Sequence, residues 1–387
     1  MGLIKGLSLF ANVGIAEAYL EDVGVDILLA NEINPQRAEL YSYLYPKTEM
    51  ICGDITDKVV RADVINKSKQ YGINFVIATP PCQGMSEAGS RDPDDVRNQL
   101  IYFAIDVIKE VKPDFILLEN VPKNLTTYIK VDGEKILIPD YIKKELKLEY
   151  NFNNSTLIMA KDHGVPQLRE RNIFLLVKKN LDITWEFPEK EKEVTLEDAI
   201  GHLPSLDPLL REGYDFTVKK FPDYEKKRQE GLLVSKWHYP PKHSWKQVEW
   251  MIHTPTGKSA IYNEKYYPKK DDGSEIKAHH NHYRRMNWNK PSRTITQNNG
   301  VISSLACVHP GRPYYHNDVV LYSDPRVLSL FEIFKVMTLP ENWNLPSSIN
   351  ETFVRRVIGE GIPPLLVKKI MCVLISEIEK GVCKWEK

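Results

Sequence analysis

The chain has 387 residues, enough for two hydrophobic cores, and its 42% hydrophobic and 27% charged residues suit a water-exposed globular protein. No apolar run approaches the ~20 residues that a membrane helix requires, so no membrane partner is expected, and the first residues show no signal-peptide pattern. The 52 Lys and Arg balance 52 Asp and Glu, and the five cysteines (Cys52, Cys82, Cys307, Cys372, Cys383) form no C-x-x-C pair, so a reducing cytoplasm is expected, without a disulfide framework or a zinc site.

Strand and helix signals alternate through the first half. Residues 6–10 read as a strand, 15–23 as a helix, 26–30 as a strand and 35–44 as a helix. Next come a strand at 75–78, a helix over 97–110 carried by Leu100, Phe103, Ala104, Val107 and Ile108, and strands at 115–118 and 172–177. Helical patterns between short apolar strands predict βαβ units and a largely parallel sheet. From 185 to about 291 the periodicity decays into a Pro-, Lys-, aromatic- and His-rich stretch, read as a second domain with little regular helix. An amphipathic helix over 364–380 is placed to return to the first domain.

The neutral total hides an asymmetry. Residues 214–290 hold sixteen Lys and Arg against nine acids, a net +7 that the rest of the chain offsets. Such segregation predicts a polyanion-facing surface on one domain only. The same stretch carries Trp237, Tyr239, Trp245, Trp250, Tyr283 and Trp288, and a cluster of His279, His280 and His282. With no cysteine nearby and no helical i, i+4 pair, those histidines are not expected to hold a metal.

The tetrad Pro80-Pro81-Cys82-Gln83 directly follows the apolar run at 75–78. A buried strand that stops at a proline pair leaves its next residues on a loop, here with Gly84, Ser86 and Gly89 crowding the thiol little. A lone cysteine is more often a small buried hydrophobe than a nucleophile. A second run, at 115–118, ends in Glu119-Asn120-Val121-Pro122. Functional groups gather at the carboxyl ends of strands in open α/β sheets, so Cys82 and Glu119 are expected to face one pocket.

Residues 6–14 read as a strand and a tight turn into a helix, a place where backbone approaches a ligand. The G-x-G-x-x-G fingerprint is absent, so a pyrophosphate cradle is not supported. Glu32 stands about 20 residues beyond the turn, where an acid holds a ribose diol, and Asp54 after Gly53 can meet an adenine amino group. Together they favour an adenosyl ligand lacking pyrophosphate. S-adenosylmethionine fits, and NAD fits less well.

These pieces, with three further ones, resemble the cytosine-C5 DNA methyltransferases over most of the chain outside about 190–285. Residues 79–100 resemble that family's nucleophile loop, with Asp95-x-Arg97 and Leu100 in place, and Glu119-Asn120-Val121 resembles its glutamate motif. Gln167-x-Arg169-x-Arg171, Arg293-Thr-Ile-Thr296 and Gly359-Glu-Gly-Ile-Pro-Pro364 follow in the family's order. Asn12 and Ile15 stand where the family usually has glycine, and Glu360 where asparagine is typical.

The resemblance implies an α/β fold: a Rossmann-like S-adenosylmethionine-dependent methyltransferase domain over 1–185, completed by 350–387, and a smaller, irregular target-recognition domain with a return hinge over 186–349. Catalysis is assigned to Cys82, which adds to cytosine C6, with Glu119 on the base's N3 and exocyclic amine, Arg169 near its O2 and Arg171 in support. The cofactor, S-adenosyl-L-methionine, is assigned to Phe10, Asn12, Gly14, Glu32, Ile33, Asp54, Ile55, Pro80, Leu100 and Glu360. The target atoms are hidden inside a duplex, so the base must be extruded. The implied enzyme is a DNA (cytosine-5)-methyltransferase of restriction-modification type: a cytoplasmic monomer, metal-free, acting on double-stranded DNA beside a cognate endonuclease. Three other readings remain open at this point: a tRNA-methylating relative, a catalytically silent DNA-binding module, and a nicotinamide oxidoreductase.

Overall fold

The structure is a computed structural model that describes residues 4–81, 99–131, 133–270, 272–276 and 278–385. The chain divides into two compact units. Unit 1 comprises Met1–His163, Glu170–Lys190 and Pro364–Lys387, and unit 2 comprises Gly164–Arg169 and Glu191–Pro363. The boundaries thus fall after 190 and 363 rather than after 185 and 349. No helix among the described residues is long and apolar enough to cross a membrane.

Unit 1 begins with β1 (Ile4–Leu9), β2 (Val25–Glu32), α1 (Pro35–Leu44), β3 (Glu49–Cys52), α2 (Lys58–Tyr71) and β4 (Phe75–Ala78). It continues through α3 (Leu100–Val111), β5 (Phe115–Asn120), a hairpin of β6 (Tyr128–Val131) and β7 (Glu134–Leu137), α4 (Ile138–Leu146), β8 (Tyr150–Phe152) and β9 (Leu157–Met159). The strand β10 (Gln167–Leu168) belongs to unit 2, whereas β11 (Glu170–Lys178) returns to the sheet of unit 1.

The main sheet runs β3-β2-β1-β4-β5-β11-β8, with β9 also on β11. Its first five strands are parallel, and β11 is antiparallel to β5. All four residues of β4 are buried, as a central parallel strand covered on both faces demands. Strand order reverses between β1 and β4, the position where open α/β sheets open a crevice at their carboxyl ends. Asn34 caps α1 ahead of Pro35, and Asp57 caps α2 by accepting from the amides of Val59 and Val60.

The helix expected over 15–23 is absent. Phe10, Asn12 and Gly14 all have positive φ (58°, 50° and 78°), and i→i+3 turns such as Leu20 N–H to Glu17 O follow, ending in one 3-10 turn at Glu21–Val23. The apolar spacing there serves burial of Ile15 and Leu20 without a helix.

Unit 2 holds α5 (Leu196–Ile200), β12 (Leu209–Leu210), α6 (Tyr214–Lys220), α7 (Tyr224–Val234), β13 (Lys242–His243), α8 (Trp245–Ile252) and β14 (Ser292–Arg293). After these come the hairpin β15 (Pro313–His316) and β16 (Val319–Tyr322), α9 (Leu330–Val336) and α10 (Glu351–Glu360). The final helix, α11 (Pro364–Trp385), lies in unit 1, where Ile370 O accepts from Trp185 Nε1 at 3.0 Å.

Residues 185–291 are therefore more helical than expected. Of the eleven residues of α7, only Tyr224 and Gly231 are buried, so the helix leaves almost no apolar period to read. Several aromatic residues expected on a DNA-facing surface are core instead. Trp250 and Tyr283 pack with Met251, Ile302 and Val308, and Trp237 packs edge-on against Phe334. Arg285 is fully buried, giving hydrogen bonds to the carbonyls of Met251, His309 and Asp324, and Arg326 is held between Asp324 and Glu332.

Candidate active site

Three strand ends of unit 1 carry the assigned cofactor residues. After β1, Gly14 can only be glycine: its φ is +78° and a Cβ would lie 2.1 Å from the Tyr45 ring, whose hydroxyl donates to Gly14 O. At the end of β2, Glu32 is buried and aimed by two backbone amides, Asn12 N–H on Oε2 and Asn34 N–H on Oε1, each at 2.9 Å. Each oxygen keeps a further lone pair for a ligand hydroxyl. Ile33 is 61% exposed, an apolar face left for a flat ring, and Asp54 is exposed beyond β3. Asn31 Nδ2 ties Ile51 O and Gly53 O, which fixes the end of β3 beside β2.

This donor set suits an adenosyl group: a diol acceptor, an apolar ring face and a second carboxylate, without a phosphate cradle. Ile55 departs from its assignment, because its side chain is buried in the sheet core. Leu100 opens α3 and is half-buried. Glu360 closes α10 in unit 2 and is half-buried there.

Behind the turn, Glu17 is buried and accepts from Ser8 Oγ. Burial pushes its carboxyl up to about 7. Its Oε2 and the Tyr41 hydroxyl have no hydrogen-bond partner among the described residues.

The reacting end is built on β4 and β5. Thr79 joins the end of β4 to the end of β1, its Oγ1 donating to Phe10 O at 3.2 Å. Pro80 O accepts from Asn120 Nδ2 at 3.1 Å, so the root of the nucleophile loop is tied to the residue next to Glu119. Cys82, Asp95 and Arg97 lie outside the described residues. Glu119 is on β5 itself rather than beyond it, and Arg171 Nε on β11 lies 2.7 Å from Glu119 Oε1. Sequence reasoning missed the tethering roles of Asn31 and Asn120, although both stand within the quoted Asn31-Glu32 and Glu119-Asn120-Val121 strings.

Arg169 differs from its assignment. In unit 2 it is 1% exposed, with Nη1 donating to Ile295 O at 2.9 Å and Nη2 to Gly359 O at 3.0 Å. Gly359 permits this junction, since a Cβ there would lie 2.3 Å from the carbonyl of Thr296. Gln167 completes it, its Oε1 accepting from Ile295 N–H at 3.0 Å. With its guanidinium committed to main-chain carbonyls, Arg169 knits three motifs of unit 2 together and has no surface to offer a base. Among the described residues, no group of His, Cys, Asp and Glu could hold a metal ion.

Comparison with known proteins agrees with this geometry. The family model for C-5 cytosine-specific DNA methylases matches residues 4–376. The chain is similar to the Type II methyltransferase M1.HgaI of Avibacterium volantium, 42% identical over 97% of this chain and 99% of that one. It is also similar to the Type II methyltransferase M.XorII of Xanthomonas oryzae pv. oryzae, 26% identical over 97% of this chain and 85% of the relative. In fold it is similar to a putative DNA modification methyltransferase encoded within a prophage of E. coli, with a TM-score of 0.66 and 21% identity over 97% of this chain and 99% of that one. The chain belongs to the C-5 cytosine-specific DNA methylase family.

Proposed function

We propose that this DNA (cytosine-5)-methyltransferase attacks an extruded cytosine with Cys82 and grips the base with Glu119 and Arg171. The observation that carries the reading is the Glu119–Arg171 pair beside the Asn120-tethered Pro80, two residues before Cys82. Bound S-adenosylmethionine supplies an electrophilic methyl group on a sulfonium. Cytosine C5 is a weak nucleophile until the Cys82 thiolate adds to C6 and moves the ring electrons onto C5. Arg171 holds Oε1 of Glu119, which leaves Oε2 to meet N3 and the exocyclic amine, where a proton stabilises the adduct. The guanidinium of Arg171 then faces O2, the role first assigned to Arg169. After C5 is methylated, loss of its proton returns the electrons that expel the Cys82 thiolate.

Phe10, Asn12, Gly14, Glu32, Ile33 and Asp54 would hold the cofactor, Glu32 on the ribose diol and Ile33 on the adenine face. Unit 2 supplies target recognition, supported by exposed cations such as Lys219, Lys242, Lys258, Lys265 and Lys270. The Type II names of the relatives support pairing with an endonuclease of the same sequence, and we place the enzyme in the cytoplasm as a monomer. Incubation of the protein and methyl-labelled cofactor with duplex DNA or tRNA tests the reading. Label is expected in DNA as 5-methylcytosine, and label confined to tRNA would overturn it.

A further inference from the structure

A cavity of about 190 Å³ in unit 2 is lined by Leu168, Asn281, Arg293, Thr294, Leu305 and Ala306. It is built where β10 pairs with β14, Leu168 opposite Arg293, and where the Asn281 segment meets that of Leu305. Asn281 is fixed by its own backbone, whose carbonyl accepts from Ala306 N–H at 2.8 Å, and Ala306 takes the left-handed conformation (φ 40°) to reach it. Thr294 has its hydroxyl hydrogen committed to Leu168 O at 2.6 Å. Asn281 Oδ1 is different: it is shielded from water and has no hydrogen-bond partner among the described residues.

A shielded amide oxygen without a donor is costly, and native structures rarely leave one unmatched. Its surroundings say what kind of donor is missing. Leu168 and Leu305 are 36% and 46% exposed, so apolar walls stand at the surface around the amide. Arg293 is exposed at the rim, and slight burial followed by the charges of His279, Arg284 and Arg293 lowers the pKa of His280 next in the chain. A positive rim around an apolar, acceptor-bearing cavity complements a nucleic acid: cations for phosphates, apolar walls against a base edge, and one amide for readout.

Among base edges in the major groove, adenine alone offers an N6 amino donor beside an N7 acceptor, the complement of an asparagine amide. Guanine shows two acceptors, thymine an acceptor and a methyl group, and cytosine a donor with no such neighbour. We propose that Asn281 is a specificity-determining residue that reads one adenine of the recognised duplex, Oδ1 accepting from N6 and Nδ2 donating to N7. This rests on the DNA-methylating reading above and adds which side chain reads which base.

The test is methylation of a duplex library with randomised sequence, read base by base after bisulfite treatment, for wild type and Asn281→Ala. Wild type is expected to mark cytosine in a defined sequence containing a required adenine. The variant should mark the same cytosine with discrimination at that one position reduced about 10- to 100-fold. A second arm uses wild type alone, so it stands even if the variant misfolds. Replacing the required adenine with purine, which lacks the N6 amino group, should reduce wild-type methylation by a similar factor. The same replacement should leave a folded variant nearly unaffected. A defined wild-type sequence with no adenine requirement, unchanged discrimination in the variant, or indifference of wild type to purine overturns the inference alone. A wild type that marks no cytosine in any sequence overturns the underlying reading as well.

Discussion

Glu119 and Arg171 pair across the antiparallel strands β5 and β11, with Oε1 and Nε 2.7 Å apart. Ile173 stands opposite Glu119 in the register, so Arg171, two residues earlier on the same face, reaches it diagonally. This one pair aims the catalytic acid. It also separates the two arginines of the Q-x-R-x-R motif, because Arg169 is spent on the carbonyls of Ile295 and Gly359.

Arg171→Ala should therefore lose turnover with a modest fall in melting temperature, whereas Arg169→Ala should lose stability first. Each carbonyl that Arg169 leaves unpartnered costs about 1–3 kcal/mol. Thermal melting together with single-turnover methyl transfer checks this. Loss of turnover in Arg169→Ala at wild-type stability would reassign the base contact to Arg169.

Glu119→Gln keeps the shape of the side chain but cannot carry a proton to N3. Turnover should fall about 10²- to 10⁴-fold, the usual scale of a lost general acid. Cofactor affinity, measured by equilibrium titration, should stay within about twofold, since one interaction at a separate strand end is being removed. Unchanged turnover would reduce Glu119 to a structural acid.

The buried Glu17 makes stability depend on pH in a stated direction. Its folded value is raised to about 7 from 4.5, so the folded state prefers the protonated form. The stability this supplies is complete below pH 4.5 and is lost as pH rises through about 7. Glu17→Gln removes the ionisation, and above pH 8 it should melt higher than wild type, by at most about 3 kcal/mol. Parallel melting curves at pH 6 and pH 9 are the check, and identical pH slopes in both proteins would contradict it.

Unit 2 carries the opposite dependence. Burial holds His309 down to about 4 and His243 to about 3, and Gly311 N–H donates to His309 Nδ1, which confirms a neutral ring. The unfolded chain takes up these protons near pH 6.5, the folded chain only near 4 and 3. Their contribution is thus complete above pH 6.5 and falls away as pH drops towards 4. His309→Gln should flatten the acid limb of stability between pH 6.5 and 4. An unchanged limb would show that His309 is not buried neutral.

What the sequence revealed follows from what a strand or helix must bury. β4 was legible to the residue because a central parallel strand is apolar throughout. The direction of β11 was not, since an apolar run carries no sign of parallel or antiparallel pairing. The turns after Gly14 satisfied a helical period while Phe10 and Asn12 adopted left-handed backbone, which residue identity alone disfavours. Trp250 and Tyr283 read as a recognition surface because composition does not separate a core aromatic residue from an exposed one. The motif string located Glu119 and Arg171, but the sorting of Arg169 into a main-chain junction depended on Gly359 and Ile295, distant in sequence.

The central claim is covalent attack by Cys82, and a duplex carrying 5-fluorocytosine at the target position tests it most directly. Fluorine cannot leave C5 as a proton leaves, so the thiolate cannot be expelled once the methyl group has been transferred. The account predicts a denaturation-resistant protein–DNA adduct with wild type and S-adenosylmethionine, and none with Cys82→Ala, which should still bind the duplex. An equal yield of adduct from Cys82→Ala, or C5 methylation of ordinary cytosine by that variant, would contradict it.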